Sequence, residues 1–530
     1  MSLPGTGTAK GSPFSILQRP VGWALRHWLA LAISSWVVCG ALYLTLPPSP
    51  DQFQHAYMGW RLLEGDVPYR DFIDMNWPGV MALHALAAWI FGINLWSWRA
   101  LDFALFAASA FFLADLARRA AGQDAGKLSL ILCPLIYAGA GYWLPGQHDT
   151  SAAQFLVAAL WFHVRGYEQK TWWVQIGTGL CIGAAMLNKP TVGIVGVLLP
   201  LHALWFRTPF RRVLAHTTTA GTASLATLLA ALGAILARGA SWVEIVDGIY
   251  TYNITTQYSG PQTLPDMVLW LLQFHYQSIP AATLGSLPAV FWIFAGPIRS
   301  MTVTALPVLW LAGVLSFLIQ WRGLDYHLAP CLVALIGCLA ISVALVASGS
   351  VAPANNAWKR TIAAGVVAFS LAGIGIKLAA SYHTLMPAIL GGDYSSHLAR
   401  FGAGDEVTVA DTAGFARRLE ALPPADCVLL VGNASSINYL SRRRMPTRFY
   451  YHHVLKYVRP PLPLAERWLS LWEEDLRSAD CRLALVSDSV AAQWLPESNR
   501  AAGALRRFLD GYRKSGMIGG GGGITVYERK

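Results

Sequence analysis

Apolar blocks of roughly 15–22 residues recur through the first 385 positions of this 530-residue chain. Such blocks are too long for core strands and match the length that crosses bilayer hydrocarbon. Their repetition predicts a polytopic, all-α membrane protein with about eleven transmembrane helices. Composition agrees: 55% of the residues are hydrophobic and only 13% are charged, about half the charge density of a soluble protein. The net charge of +11 does not mark a nucleic-acid binder. The basic residues punctuate the apolar blocks instead of forming one patch, as they do where they orient membrane segments.

Residues 1–27 read as a cytoplasmic tail with Lys10, Arg19 and Arg26. No cleavable signal pattern is present, so the apolar block from Trp28 to Leu46 is expected to remain as the first span, stopping at Pro47-Pro48. The short apolar run Trp77 to Gly92 can be counted as a span or as an interfacial helix. The second choice places 14 Lys/Arg on the cytoplasmic side and 7 on the other before residue 386, and the charge bias of short loops favours it. Further spans are then expected near 98–117, 128–144, 150–164, 174–188, 191–206, 213–237, 281–297, 303–319, 328–348 and 361–382. Residues 28–385 form the membrane domain, with an external loop at 47–97 that carries juxtamembrane helices. An odd number of spans puts residues 386–530 outside the cytoplasm.

That last region has the composition of a soluble α/β domain. Cys427–Gly432 and Leu483–Ser487 read as strands, Val407–Leu422 and Ala501–Lys514 as helices, and Ile524-Thr-Val-Tyr as a last strand after the glycine run Gly519–Gly523. Of seven cysteines, Cys39, Cys133, Cys181, Cys331 and Cys338 lie in apolar blocks and read as packing residues. Cys427 and Cys481 sit in similar Ala-Asp-Cys contexts. A disulfide between them and two separate buried strand cysteines are both open. No CxxC or His/Cys cluster suggests a metal site.

Several polar residues stand where the apolar blocks end. Asp51 follows Pro47-Pro48-Ser49-Pro50 at the exit of the first span, and Asp51 and His55 share a helix face, with Gln52 beside them. The alternative role for Asp51 is a helix N-cap. Asp149 lies in Gly-Gln-His-Asp-Thr between two apolar blocks with almost no loop. A carboxylate at that depth usually has a partner or a job, although it too can be an N-cap. Lys189, in Leu-Asn-Lys-Pro-Thr, falls where proline leaves broken helix ends able to bind an anion; the alternative is a snorkelling lysine. Arg322, Asp325, Tyr326 and His327 cluster at another external span end, where Arg and His suit a phosphate or form a solvated turn. Arg99 with Asp102, and Asp115 with Arg118 and Arg119, have the spacing of neutralising helix pairs. Tyr250, Tyr252 and Tyr258 fit an interfacial aromatic belt or a sugar contact.

The run Glu64-Gly65-Asp66-Val67-Pro68-Tyr69-Arg70-Asp71-Phe72, then Asp74-Met75-Asn76-Trp77-Pro78-Gly79, following one span and an external Asp, resembles bacterial GT-C glycosyltransferases of the protein-mannosyltransferase-like group. These are similar to aminoarabinose transferases and lipopolysaccharide-core galacturonosyltransferases. Gly146-Gln147-His148-Asp149, Leu187-Asn188-Lys189-Pro190, Asp325-Tyr326-His327 and Arg444-Met445-Pro446-Thr447-Arg448-Phe449 extend the likeness along nearly the whole chain. The chain departs from many relatives in carrying Asp51-Gln52 for Asp-Glu and Asn76-Trp77-Pro78 for Lys-Pro-Pro.

The resemblance implies a bacterial inner-membrane transferase of a hexosyl or pentosyl group. The sugar would pass from a polyprenyl-phosphate donor to a lipid, glycan or protein acceptor at the periplasmic face. Asp51 would be the general base and Asp149 would orient the acceptor or support Asp51. Lys189, Arg322 and His327 would face the donor phosphate. His55, Arg70, Asp74, His148 and Tyr326 would contact substrate. No cofactor is specified, and the acids alone do not decide whether a divalent metal takes part. A transporter or flippase, or a noncatalytic binder of lipid-linked saccharide, would also put charges in a membrane cavity. Paired halves, common in transporters, are not evident.

Overall fold

The computed structural model describes residues 14–255, 263–295, 300–351, 356–423, 426–451, 455, 463–494, 500–519 and 523–530. All eleven expected spans are helices, and the run after Trp77 forms its own helix, Pro78–Phe91. Among the described residues, five helices are long and apolar enough to cross a membrane by themselves: Ser97–Ala121, Phe210–Ala237, Met301–Gln320, the segment Asp325–Ala347 and the segment Ala357–Leu390. Val174–Asn188, Pro190–Trp205 and Pro280–Phe294 are shorter. At about 1.5 Å per residue they cover less than a full hydrocarbon thickness each.

Phe14–Arg26 is a helix, bent by 87° from Trp28–Leu44. The bend falls at Arg26-His27, where the composition changes from mixed to largely apolar. Helix Ala329–Ala347 is buried along almost its whole length and forms the axis of the bundle, against Pro280–Ala295, Met301–Gln320 and Gln123–Gly139.

The stretch between the first two spans folds against this bundle. Ser49 caps helix Pro50–Leu63 through a capping box with Gln52, and proline occupies the first helical position. Gly59 lets this helix approach Pro78–Phe91, since a Cβ there would lie 2.5 Å from the Ala85 nitrogen. Gly79 brings Pro78–Phe91 equally close to Leu187, where a Cβ would lie 2.6 Å from the carbonyl. Both contacts carry these two helices to the Asn188–Lys189 break.

The C-terminal region contains a hairpin, β1 Gly402–Gly404 with β2 Val407–Thr408, and four further strands: β3 Val428–Val431, β4 Leu483–Ser487, β5 Tyr512–Ile518 and β6 Ile524–Arg529. Their order is β3-β4-β6-β5, parallel for β3–β4 and antiparallel elsewhere. Helix Val409–Leu419, capped by Thr408, occupies the expected position. The helix expected over 501–514 instead ends at Leu509, and Asp510-Gly511 turns the chain into β5. Cys427 and Cys481 form a disulfide beside the paired strands β3 and β4. Cys39, Cys133, Cys331 and Cys338 are buried and unbonded.

This region grips the segment 47–97. The Ile73 amide donates to the Arg448 carbonyl at 2.8 Å, the Met445 amide to the Tyr57 hydroxyl at 2.9 Å, and Tyr450 stacks on Tyr57 at 5.4 Å. Arg467 pairs with Asp247 at 2.6 Å.

Candidate active site

The polar cluster is built on one buried arginine. Arg99, fully shielded from solvent, donates to the carbonyls of Pro47 at 2.7 Å, Tyr142 at 2.5 Å and Pro145 at 2.8 Å, and to the Tyr43 hydroxyl at 2.8 Å. These carbonyls close the first span and the turn before Asp149, so one guanidinium ties the two loops together. The expected Arg99–Asp102 pair is not direct: Tyr43 lies between them, donating to Asp102 at 2.6 Å. Tyr137 and Gln154 also donate to Asp102, at 2.7 and 3.1 Å. The i,i+3 spacing that suggested a pair is overridden because both side chains have better-placed partners on other elements. Asp115 does pair with Arg118 and Arg119.

Two further contacts lock the loops. Gln52 donates to the Pro145 carbonyl at 2.9 Å, and Gln147 to Ser49 at 3.1 Å. Gly146 has φ +79°, and a Cβ there would lie 3.0 Å from both Arg99 and Trp98. The position therefore admits glycine for both conformation and space.

Neither acid is an N-cap. Ser49 and Gln147 occupy those positions, and Asp51 and Asp149 follow in the first turn of their helices. The Lys189 ammonium lies 3.3 Å from Asp149 Oδ1 and 3.3 Å from His148 Nε2. Tyr326 stands near enough to Asp51 to ease its charge, and its ring meets His148 and His327 edge-on at 6.3 and 4.8 Å. His55 lies 5.5 Å from the His148 ring and 3.3 Å from the Asn76 amide. Arg322 donates to Asn253 at 2.8 Å, and its charge is felt at Lys189, His148 and His327. Asp51, His55, His148, Asp149, Lys189, Arg322, Tyr326 and His327, drawn from four stretches of chain, thus share one electrostatic neighbourhood.

Arg70 and Asp74 do not join it as direct partners. Arg70 is half-exposed and pairs with Asp71 at 2.8 Å, while Asp74 is buried and accepts from the Asn76 amide at 2.6 Å and from the Tyr450 hydroxyl. Tyr252 is buried against Trp468 at 5.4 Å, not in an aromatic belt. Tyr250 is exposed; Tyr258 lies outside the described residues.

Burial and the nearby Asp74 charge push the Asp51 carboxyl up to about 6, although the nearby Tyr326 hydroxyl opposes them. Burial also raises Asp74, against hydrogen bonds from Tyr450 and Asn76. Burial and the Lys189 charge lower His55 to about 3, so it is neutral. The ring nitrogens His55 Nδ1, His148 Nδ1 and His327 Nδ1 are buried without a hydrogen-bond partner, an unusual concentration. The arrangement offers a carboxylate poised to take a proton, a cation beside a second carboxylate, and polar atoms with spare capacity.

Two crystal structures of ArnT from Cupriavidus metallidurans superpose on nearly the whole chain. The one bound to undecaprenyl phosphate is 15% identical with a TM-score of 0.60, covering 96% of this chain and 98% of that one. The apo form is 15% identical with a TM-score of 0.61, covering 95% and 98%. The chain has the GT-C fold of these ArnT structures. The family described as dolichyl-phosphate-mannose-protein mannosyltransferase matches residues 76–233 of the chain, a stretch that includes Gly146, Asp149 and Lys189. No curated protein matches by sequence.

The roles of Tyr43, Ser49, Tyr137 and Gln154 as scaffold residues are not legible in the sequence, and Gln147 is marked only by its motif. Their partners are backbone carbonyls or side chains on remote helices, and nothing local marks such a bond. Gly146 beside Gln147-His148-Asp149 was the one available signal.

Proposed function

We propose that this protein transfers a sugar from a polyprenyl-phosphate donor to a lipid, glycan or protein acceptor at the external face of a bacterial inner membrane. The ArnT structure that shares its fold was solved with undecaprenyl phosphate, which supports a polyprenyl phosphate as the lipid partner. The single observation that carries the reading is the buried cation at Lys189, 3.3 Å from both Asp149 and His148 Nε2, with the Tyr326 ring packed beside His148.

Asp51 takes the proton from the acceptor hydroxyl as its oxygen attacks the anomeric carbon. Its raised carboxyl sits near neutral pH, where a general base is effective. The bond from the anomeric carbon to the phosphate oxygen breaks, and the electron pair leaves with the polyprenyl phosphate. Lys189 and Arg322 offset that charge, which counts most in a site shielded from water, with His327 donating or accepting beside them. Asp149 holds Lys189 in place and orients the acceptor together with His148. Among the described residues, no group of three or more His, Cys, Asp and Glu is arranged around a metal ion. The Cys427–Cys481 disulfide supports an oxidising, extracytoplasmic setting for the C-terminal region, and hence a cytoplasmic N-terminus.

The test is Asp51→Asn in membranes that make the product. Mass spectrometry of envelope glycolipids and glycans, with and without the gene, names the transferred residue. The variant is expected to lose that product and still retain polyprenyl phosphate. Unchanged transfer by Asp51→Asn would remove Asp51 from the mechanism, and an unchanged envelope without the gene would remove the activity.

A further inference from the structure

A second polar pocket lies far from the first. His163 is fifteen residues along helix His148–Gln169 from His148, about 22 Å at 1.5 Å per residue. It lines a crevice of 230 Å³ between helices Val174–Asn188, Val195–Trp205 and Phe210–Ala237. His163, Gln175 and His216 form its polar end; Ile182, Leu225 and Leu228 line the rest. Gln175 donates to the His163 carbonyl at 3.2 Å and contacts His216 Nδ1 at 3.1 Å. His163 Nε2 has no partner, although the residue is only 3% exposed. A buried polar atom left open in a formed crevice is costly unless something fills it.

The rim identifies the occupant by charge. Arg212 lies 5.2 Å over the Tyr167 ring, which also lines the crevice, and Lys170 and Arg211, near them in sequence, are exposed. The acid of this turn, Glu168, is already held by Arg119 at 2.9 Å and Thr302 at 3.0 Å. Basic residues over an apolar crevice between membrane helices suit an anionic headgroup with an acyl chain beneath it.

We propose that this crevice binds one anionic phospholipid. One acyl chain lies along Ile182, Leu225 and Leu228, the ester and glycerol oxygens meet His163 and Gln175, and the phosphate meets Arg212. This site is independent of sugar transfer and sits at the opposite end of the bundle.

Two glycines make the test clean. Gly196 and Gly221 line the crevice, and a Cβ at either meets no atom within 4 Å. Gly196→Leu and Gly221→Leu therefore add bulk to the crevice wall with no clash at the Cβ. The full-length protein, purified in detergent, is offered phosphatidylglycerol or phosphatidylcholine and read by native mass spectrometry, with its melting temperature as the check on folding. Wild type is expected to retain one phosphatidylglycerol at about fivefold higher occupancy than phosphatidylcholine, the factor one basic side chain supplies beside an anionic lipid. Each folded glycine variant loses it, and Arg212→Gln brings the two lipids level. Retention of phosphatidylglycerol by both glycine variants overturns the location. Equal retention of the two lipids by wild type overturns the charge selection.

Discussion

Lys189 and Asp149 stand forty residues apart in the chain and 3.3 Å apart in space, with 1% of the Asp149 side chain open to solvent. Removing one partner of such a pair strands the other charge in a medium that cannot solvate it. Lys189→Met is expected to cost about 3 kcal/mol, read as a lower melting temperature in detergent, while Lys189→Met with Asp149→Leu recovers most of it. An additive double variant would show that the pair is not coupled.

Asp51 ties activity and stability to pH in opposite directions. Its carboxyl lies near 6 in the fold against 3.8 for the free group. Folding therefore takes up a proton between those values, and the stability this group contributes is complete below 3.8 and is lost as pH rises through 6. Transfer needs the ionised base and falls on acidification through the same range. Asp51→Asn should abolish transfer yet raise stability at neutral pH by up to about 3 kcal/mol. A pH–rate profile flat across that window, or a variant less stable than wild type at neutral pH, would contradict the assignment.

Gly146 and Gly141 separate two kinds of strain. Both have positive φ, +79° and +85°, but only a Cβ at Gly146 would crowd Arg99 and Trp98. Gly141→Ala is expected to cost about 1 kcal/mol from backbone strain alone. Gly146→Ala should cost more and lower transfer as well, because it pushes on the clamp that joins the Asp51 and Asp149 loops. Equal melting temperatures and equal rates for the two variants would deny the clamp its role.

The disulfide reports both stability and side of the membrane. Thiol labelling of the denatured protein should find five free cysteines, and seven after reduction, since Cys427 and Cys481 are bonded. Cys427→Ser is expected to destabilise the C-terminal region by about 2–4 kcal/mol. Alkaline phosphatase fused after Ala120 should be inactive and after Arg400 active; the reverse pattern would invert the proposed orientation.

Hydropathy and charge spacing mark the eleven expected spans, each of which is helical, because apolar length is a property each segment carries on its own. They also set the short run after Trp77 apart as a separate helix, and the strand character of Leu483–Ser487 needed nothing beyond its own residues. The convergence of Asp51, Asp149, Lys189 and Tyr326 could be expected only through the family resemblance, since no local spacing relates residues on four separate stretches. Arg99 shows the limit most clearly. Its spacing pointed to Asp102, yet its strongest partners are the carbonyls of Pro47, Tyr142 and Pro145. Carbonyls are the same in every residue, so which of them a buried guanidinium finds is settled by packing, and with it the meeting of the two loops that bear the acids.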